Sequence, residues 1–415
     1  MSKIFHLYPK QIEKRPSHVS VPKRFVYFWE ISNYLSQHCE VNSVDAVDPL
    51  ITTYGLAEEL LKNKYDIAVI LVRVDNVRES IRISKFFKEI SPEIKILFYG
   101  DIVNLIPKFF KKYNFIDALV VNGDWEDSIL SYVHYVKMGK KPRGLFIKEL
   151  NKTYKGRRIG NNWCFTDTKK APINLYNKLN GKKQLSLSVS RGCPFACKFC
   201  LATETFGEKD RRKSIQEILN YCESNKNVFE SFKFFSPNFT LNKKWVKRLC
   251  KGLIKKKINI KWASTTRIEM LDDEELINLM AESGCYKIAV GIEIPGRGAK
   301  FLKREIAAKR SLIKRVAKLF NKTAISLKAL VMLGVPGQTA RQVKEMFTFL
   351  EENNIKIRPT SYSPLGELAQ LKNIAIEKIE NMDKLTYYKY GIKGVSKKDY
   401  FRLILSPESY KDILK

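Results

Sequence analysis

The residues with the most definite chemistry are three cysteines, Cys193, Cys197 and Cys200, in the stretch RGCPFACKFC. Their spacing is C-x3-C-x2-C, and Phe199 stands just before the last of them. Three thiolates on one short loop can hold three corners of a cubane iron–sulfur cluster and leave the fourth iron open to a small ligand. A structural zinc site calls for a fourth Cys or His close by. The nearest candidates, Cys164 and Cys222, each lie more than 20 residues from the loop, and no His follows His134. A zinc loop, a redox disulfide, or three buried thiols are the plainer readings of the triplet taken alone.

The elements around the triplet must position it. Leu185–Ser190 alternates apolar and polar residues and then meets Arg191–Gly192, which reads as a strand running into a loop. Further strands are expected over Phe229–Phe235, Ile260–Ser264, Lys287–Gly291, Ala324–Leu333 and Ile355–Tyr362, each followed or preceded by a helical pattern. Ser214 with Glu217 three residues on is a capping box opening one of these helices, and Gly284 suits a helix C-terminus. Where strands alternate with helices into a parallel sheet, chemistry collects at the C-terminal ends of the strands. Polar residues collect there in this sequence: Ser236 and Asn238, Arg267, Glu293, and the turn after Leu333.

At the Cys triplet the chain resembles the radical S-adenosylmethionine (SAM) superfamily, whose signature is C-x3-C-x2-C with an aromatic before the third Cys on the loop after the first barrel strand. The resemblance covers residues 185–365 and implies a partial (β/α)6 barrel, a [4Fe-4S] cluster on Cys193, Cys197 and Cys200, and SAM on its open iron. One electron from the cluster would then cleave SAM to a 5′-deoxyadenosyl radical. By the same likeness, the backbone around Phe199 would meet the adenine, and Lys198 and Leu201 share its loop. Asn238, in Ser-Pro-Asn-Phe-Thr where the family often has Asp-x-Asn-Phe-Thr, would lie near the methionine amino group, with Ser236 replacing the usual acid. Arg267 suits the SAM carboxylate, because a guanidinium fork pairs with a carboxylate bidentately. Glu293 would accept from ribose hydroxyls, although Ile294–Pro295 replaces the usual Ser-Gly. Leu333 and Val335 would wall the adenine. Each residue also has a structural reading: a helix cap or surface ion pair for Arg267, a salt bridge for Glu293, a simple turn for Asn238. With no His in the barrel, an acid–base partner would be sought among Tyr362, Cys285 and Glu367.

Ahead of the barrel, strands and helices alternate from about residue 20 to 140, with the β-branched run DIAVILVRV at its centre. This pattern implies a doubly wound parallel sheet. In position and pattern it resembles the cobalamin-binding, Rossmann-like domain that precedes many radical SAM barrels. The family's Gly-Gly turn is reduced here to Tyr99–Gly100–Asp101, with a second turn at Asn122–Gly123–Asp124, and the Asp-x-His-x-x-Gly motif is absent. Cobalamin binding and a domain kept for packing or substrate access both stay open. The fold class is therefore α/β: an N-terminal doubly wound parallel sheet (1–140), a linker (141–183), a partial radical SAM barrel (184–365) and a C-terminal extension (366–415). The Tyr387–Tyr390 and Tyr400 aromatics of that extension are expected on the barrel wall rather than over a substrate.

Composition bounds the rest. No run approaches a membrane span and the N-terminus does not read as a signal peptide, so a cytoplasmic protein is expected. Cys39, Cys164, Cys222, Cys250 and Cys285 are scattered and do not form a disulfide framework. The net charge of +32 is read as a solvated basic surface, with an anionic small-molecule substrate as the sharper alternative and no nucleic-acid motif in sight. By resemblance, the expected function is hydrogen abstraction from a small molecule, with cobalamin-dependent C-methylation foremost and a flavodoxin or ferredoxin as reductant. The runners-up are cobalamin-free dehydration, epimerisation or decarboxylation of a sugar or nucleotide, and a non-catalytic metal-stabilised binding protein.

Overall fold

The computed structural model describes residues 2–10, 26–46, 48, 50–181, 183–195, 197, 199–293, 309–382 and 387–414. Lys198, Ile294, Pro295 and the start of the Lys384–Tyr390 stretch lie outside the described residues. The chain forms two compact units. One comprises Met1–Asn180, Leu201–Glu208 and Leu365–Asp383; the other comprises Gly181–Cys200, Lys209–Pro364 and Lys384–Lys415.

The first unit is built on a seven-stranded sheet of β1 (Lys3–Tyr8), β2 (Glu40–Asp45), β3 (Ile67–Leu71), β4 (Lys95–Tyr99), β5 (Ala118–Val120), β6 (Leu145–Ile147) and β7 (Lys152–Thr153), in the order β2-β1-β3-β4-β5-β6-β7. The first five pair in parallel, as a doubly wound sheet requires. The buried run of β3 and the wholly buried end of β4 explain why these strands are nearly continuous hydrophobics. Two features depart from the sequence expectation. The N-terminal residues KIFHLY form an interior strand of the sheet, between β2 and β3, with Ile4, Phe5, His6 and Leu7 fully buried. Residues expected as a linker with little periodicity carry β6, antiparallel to β5, β7, antiparallel to β6, and the helix Ile173–Asn180.

Inside this unit, His6 Nε2 lies 2.6 Å from the Tyr99 hydroxyl and its ring stacks 4.1 Å from Phe28. Burial lowers its pKa to about 3. The short helix Ala202–Phe206 also belongs here: the Phe206 ring sits 4.7 Å from Tyr27 and 5.4 Å from Trp125, and Arg158 donates to the Thr205 and Gly123 carbonyls.

The second unit holds β8 (Gln184–Ser188), β9 (Ser190–Arg191), β10 (Arg211–Arg212), β11 (Ser231–Phe235), β12 (Lys261–Arg267), β13 (Cys285–Gly291), β14 (Ser326–Leu333) and β15 (Lys356–Ser361). Six of them form an all-parallel sheet, β15-β14-β13-β12-β11-β8, the expected partial barrel. The capping box at Ser214 and Glu217 is formed. Gly284 has φ +90°, and a Cβ there would meet the Ile260 carbonyl oxygen at 2.0 Å, so only glycine serves at that turn. Alternate strand residues such as Phe232 and Phe234, Ile288 and Val290, and Leu327, Ala329, Val331 and Leu333 are buried under the helices. The sheet is strongly curved: Gln184 on β8 donates to the Tyr286 hydroxyl on β13 at 3.1 Å, across the two strands between them.

Candidate functional site

The site is assembled at the C-terminal ends of the barrel strands. The Cys loop leaves β9 and the chain returns through β10, and the antiparallel pairs Arg191–Arg211 and Ser190–Arg212 tie the two together. Within the loop the Cys200 N–H donates to the Cys197 carbonyl at 2.9 Å, and the Cys197 N–H to the Phe195 carbonyl at 2.8 Å. Cys193 is buried, Cys197 half-buried and Cys200 exposed. Burial pushes the Cys193 and Cys197 thiols above their ordinary value, and the Arg267 guanidinium draws both part of the way back. Among the described residues, no three His, Cys, Asp or Glu side chains are gathered as ligands of one metal ion. Thiolates on a single zinc stand about 3.8 Å apart, given Zn–S bonds of about 2.3 Å. A cubane differs in taking each thiolate on a separate iron.

Next to the loop, β11 and β12 end in a polar network. The Thr266 hydroxyl donates to Asn238 Oδ1 at 2.6 Å and accepts from the Thr240 N–H at 3.1 Å. The Arg267 N–H reaches the same Asn238 oxygen at 3.4 Å. Arg212 donates to the Phe239 and Asn238 carbonyls and to Asp210, with its guanidinium 4.9 Å from the Trp245 ring. Asn238 is thus held from several sides, yet its amide Nδ2 is buried without a hydrogen-bond partner. Arg267 stacks 4.5 Å over Phe195 of the Cys loop and donates to Glu269 at 2.8 Å, while its Nε makes no hydrogen bond. A buried donor without an acceptor costs about 1–3 kcal/mol, so each of these two donors would be stabilised by an acceptor.

The remaining expected residues divide. Ser236 is buried, and its hydroxyl lies 2.6 Å from that of Ser190, joining the ends of β11 and β9. Glu293 is buried just beyond β13, close enough to raise the Cys197 thiol electrostatically. Phe199 packs against Val335 and Tyr362, with Met332 beside them. Leu333 is fully buried, on the helix-covered side of β14; its carbonyl accepts from the Tyr362 N–H and the Tyr400 hydroxyl. Met332 and Val335 therefore gather around Phe199, and Leu333 does not. Cys285 does not join the site: it opens β13, the end remote from the Cys loop, and burial pushes its thiol far up, as suits a small core residue. Glu367 lies in the short helix Leu365–Gln370, which belongs to the first unit. Tyr400 packs on the barrel wall, with hydrogen bonds to Leu333 and Ser361. Phe195 and Arg212 were not singled out from sequence, although Phe195 lies inside the Cys motif.

The family model described as the radical SAM superfamily matches residues 187–350. The chain thus carries a radical SAM domain over residues 187–350. It is a radical SAM enzyme, with a Rossmann-like sheet ahead of the barrel, and its cofactors are a [4Fe-4S] cluster and SAM. An uncharacterized methyltransferase of Pyrococcus horikoshii is 24% identical over 341 residues, 78% of this chain and 72% of that protein. The fold is shared with TsrM of Kitasatospora setae, a radical SAM methyltransferase solved with cobalamin and a [4Fe-4S] cluster: TM-score 0.71 at 15% identity, over 99% of this chain and 92% of that one. It is also shared with OxsB, a cobalamin-dependent SAM radical enzyme solved with aqua-cobalamin and SAM: TM-score 0.69 at 17% identity, over 100% of this chain and 62% of that one. Among the described residues, no helix is long and apolar enough to cross a membrane.

Proposed function

We propose that this radical SAM enzyme abstracts hydrogen from a small-molecule substrate and, foremost, installs a methyl group with the help of cobalamin. Cys193, Cys197 and Cys200 would hold the [4Fe-4S] cluster. When bound, the cluster supplies the electron that cleaves SAM to the radical that takes the substrate hydrogen. The observation that carries the SAM site is the pair of unsatisfied buried donors, Asn238 Nδ2 and Arg267 Nε, beside the Cys loop. Asn238 and Arg267 orient the methionine end, Arg267 by facing its carboxylate. Phe199 and Val335 form the apolar surface against which the adenine rests, and Glu293 offers a carboxylate to the ribose. Tyr362 belongs to the same apolar cluster and is a wall of the site rather than a proton carrier. A flavodoxin- or ferredoxin-type protein would deliver the electron.

The cobalamin part is supported by the fold shared with TsrM and OxsB, both solved with cobalamin, and by the strand order β2-β1-β3-β4-β5. That order has its switch point between β1 and β3, where doubly wound sheets take cofactors. The two glycine turns do not fit a cofactor cradle. A Cβ on Gly100 would meet the Val72 carbonyl oxygen at 2.0 Å. The Asn122–Gly123–Asp124 turn is covered by the chain's own backbone: the Asp124 N–H donates to the Arg157 carbonyl at 2.9 Å, and the Ile159 N–H to Asp124 Oδ2 at 2.9 Å. These closed turns favour a second reading, in which the first unit holds no cobalamin and the radical leads to dehydration, epimerisation or decarboxylation.

One experiment tests both. The protein is reconstituted anaerobically with iron, sulfide and hydroxocobalamin, then analysed for metals and for SAM cleavage after reduction. About four irons per chain with stoichiometric cobalt supports methyl transfer. Iron without cobalt supports the second reading. No SAM cleavage in a cluster-loaded protein would sink both.

A further inference from the structure

The six strands of the barrel sheet carry Lys233, Lys261, Arg267, Lys287, Lys328, Lys356 and Arg358, and not one Asp or Glu. Register places several of these cations on one face. Lys233 is level with Ala263, which is level with Lys287, and Lys328 is level with Ala289 two residues farther along β13. On β11 the flanking Phe232 and Phe234 are buried, so Lys233 points to the opposite, concave face. The Lys233 ammonium lies 5.6 Å from the Phe235 ring, so the side chain leans toward the Cys-loop end of the strand. Lys287 lies 5.1 Å from the Tyr286 ring, and Tyr286 is joined by Gln184 and Ser231 in a hydrogen-bonded floor at the strands' N-terminal ends.

We propose that this concave face binds a phosphate or diphosphate group of the substrate, with Lys233, Lys287 and Arg358 as the cations that hold it. Among the described residues none of the three forms an ion pair. Lys233 is driven below the ordinary lysine range first by burial and then by the charges of Arg358 and Lys287. Arg358 stands on β15, at the far side of the sheet from β11, so it acts on Lys233 across the concave face rather than along a neighbouring strand. Three cations that repel one another, with no acid on any barrel strand, are a cost to the empty protein and an attraction for a group with two or more negative charges. Lysines act as point charges that reach a phosphoryl group from several directions, and an arginine adds a fork. From the level of Ala263 to Arg267 the chain advances four residues, about 13 Å at roughly 3.3 Å per residue. The anion would thus be anchored deep on this face, with the rest of the substrate extending up toward the Cys loop. The assignment of that upper end rests on the proposed function; anion binding itself does not.

Pyrophosphate, titrated calorimetrically into the reconstituted full-length enzyme, is the probe. Lys233→Met, Lys287→Gln and their double variant are compared with the wild type and with Lys255→Gln, an exposed lysine on an outer helix. Each concave-face variant is expected to weaken pyrophosphate about tenfold, one charge-assisted contact apiece, and Lys255→Gln to leave it unchanged. Lys233→Met should also melt no lower than the wild type without ligand, because it relieves like-charge repulsion; a structural lysine would melt lower. No binding at millimolar pyrophosphate, or equal binding by the double variant and the wild type, overturns the proposal. Iron content and SAM cleavage are measured on the same preparations. Concave-face-dependent pyrophosphate binding in a protein that never cleaves SAM would keep the anion site and remove the enzymatic reading.

Discussion

Arg267→Gln is the substitution that most directly tests the candidate site. The wild-type guanidinium stacks 4.5 Å over Phe195 and pairs with Glu269 at 2.8 Å, with the two side chains 20% and 32% exposed. The stack is worth about 0.5–1 kcal/mol and the partly exposed ion pair about 0.2–1 kcal/mol. Losing both therefore costs folding less than about 2 kcal/mol, and the variant should fold and load iron. Losing a charge-assisted contact to the SAM carboxylate removes about 1.5–3 kcal/mol of binding, which is roughly 10- to 150-fold in affinity. Equilibrium dialysis of SAM against anaerobically reconstituted wild type and variant, with iron quantified in each, measures this. An affinity within about threefold of wild type, at equal iron content, would refute the argument and leave Arg267 as a partner of Glu269 and Phe195 alone. Asn238→Ala serves as the companion, since it removes the other unsatisfied donor.

Three further outcomes follow from the structure. His6 has a folded pKa of about 3 against 6.5, so its contribution is full above pH 6.5 and is lost as pH falls toward 3; the gap caps it at roughly 5 kcal/mol, and urea unfolding as a function of pH should show a slope that His6→Gln flattens. Burial pushes the Cys222 and Cys250 thiols up to about 12, so neither should react with iodoacetamide at pH 8 until the chain is unfolded, and stability should decline as pH rises from about 9 toward 12, less steeply in Cys250→Ala. Gly100→Ala places a methyl 2.0 Å from the Val72 carbonyl oxygen at φ +135° and should destabilise the protein by about 3 kcal/mol or more in denaturant titration, whereas Gly139→Ala, with open space around it, should cost far less.

Much of the barrel was legible because its signals are local. The Cys triplet sits on one loop, the Ser214 capping box closes within four residues, and each strand ends at its own turn. Where the signal was not local, the sequence reading failed. The strand Lys3–Tyr8 carries its pattern in six residues, and its interior place in the sheet depends on pairing with Glu40–Asp45 and Ile67–Leu71. The strands Leu145–Ile147 and Lys152–Thr153 are too short to show a period. Cys285 was set among the candidate acid–base groups by residue type, but type carries no information about which end of a strand a residue occupies. Arg267 could be placed at a strand end, yet its stacking on Phe195 joins residues 72 positions apart and leaves no mark on either segment alone.

The concave-face lysines show the same boundary most clearly. In a flat sheet, polar residues alternating with buried ones simply face water, and Lys233, Lys287 and Lys328 would pass as the solvated side of amphipathic strands. Curvature changes their meaning. Once Gln184 on β8 reaches Tyr286 on β13, the polar faces of six strands turn toward one another, and separately harmless cations share a confined space. Burial and the charges of Arg358 and Lys287 then weigh on Lys233, and none of the six strands carries an Asp or Glu. A sequence free to vary could relieve that cost with a single Asp or Glu. That it places none on any of the six strands, while its outer helices pair Lys247 with Glu275 and Arg341 with Glu345, points to a counter-charge that arrives with the substrate.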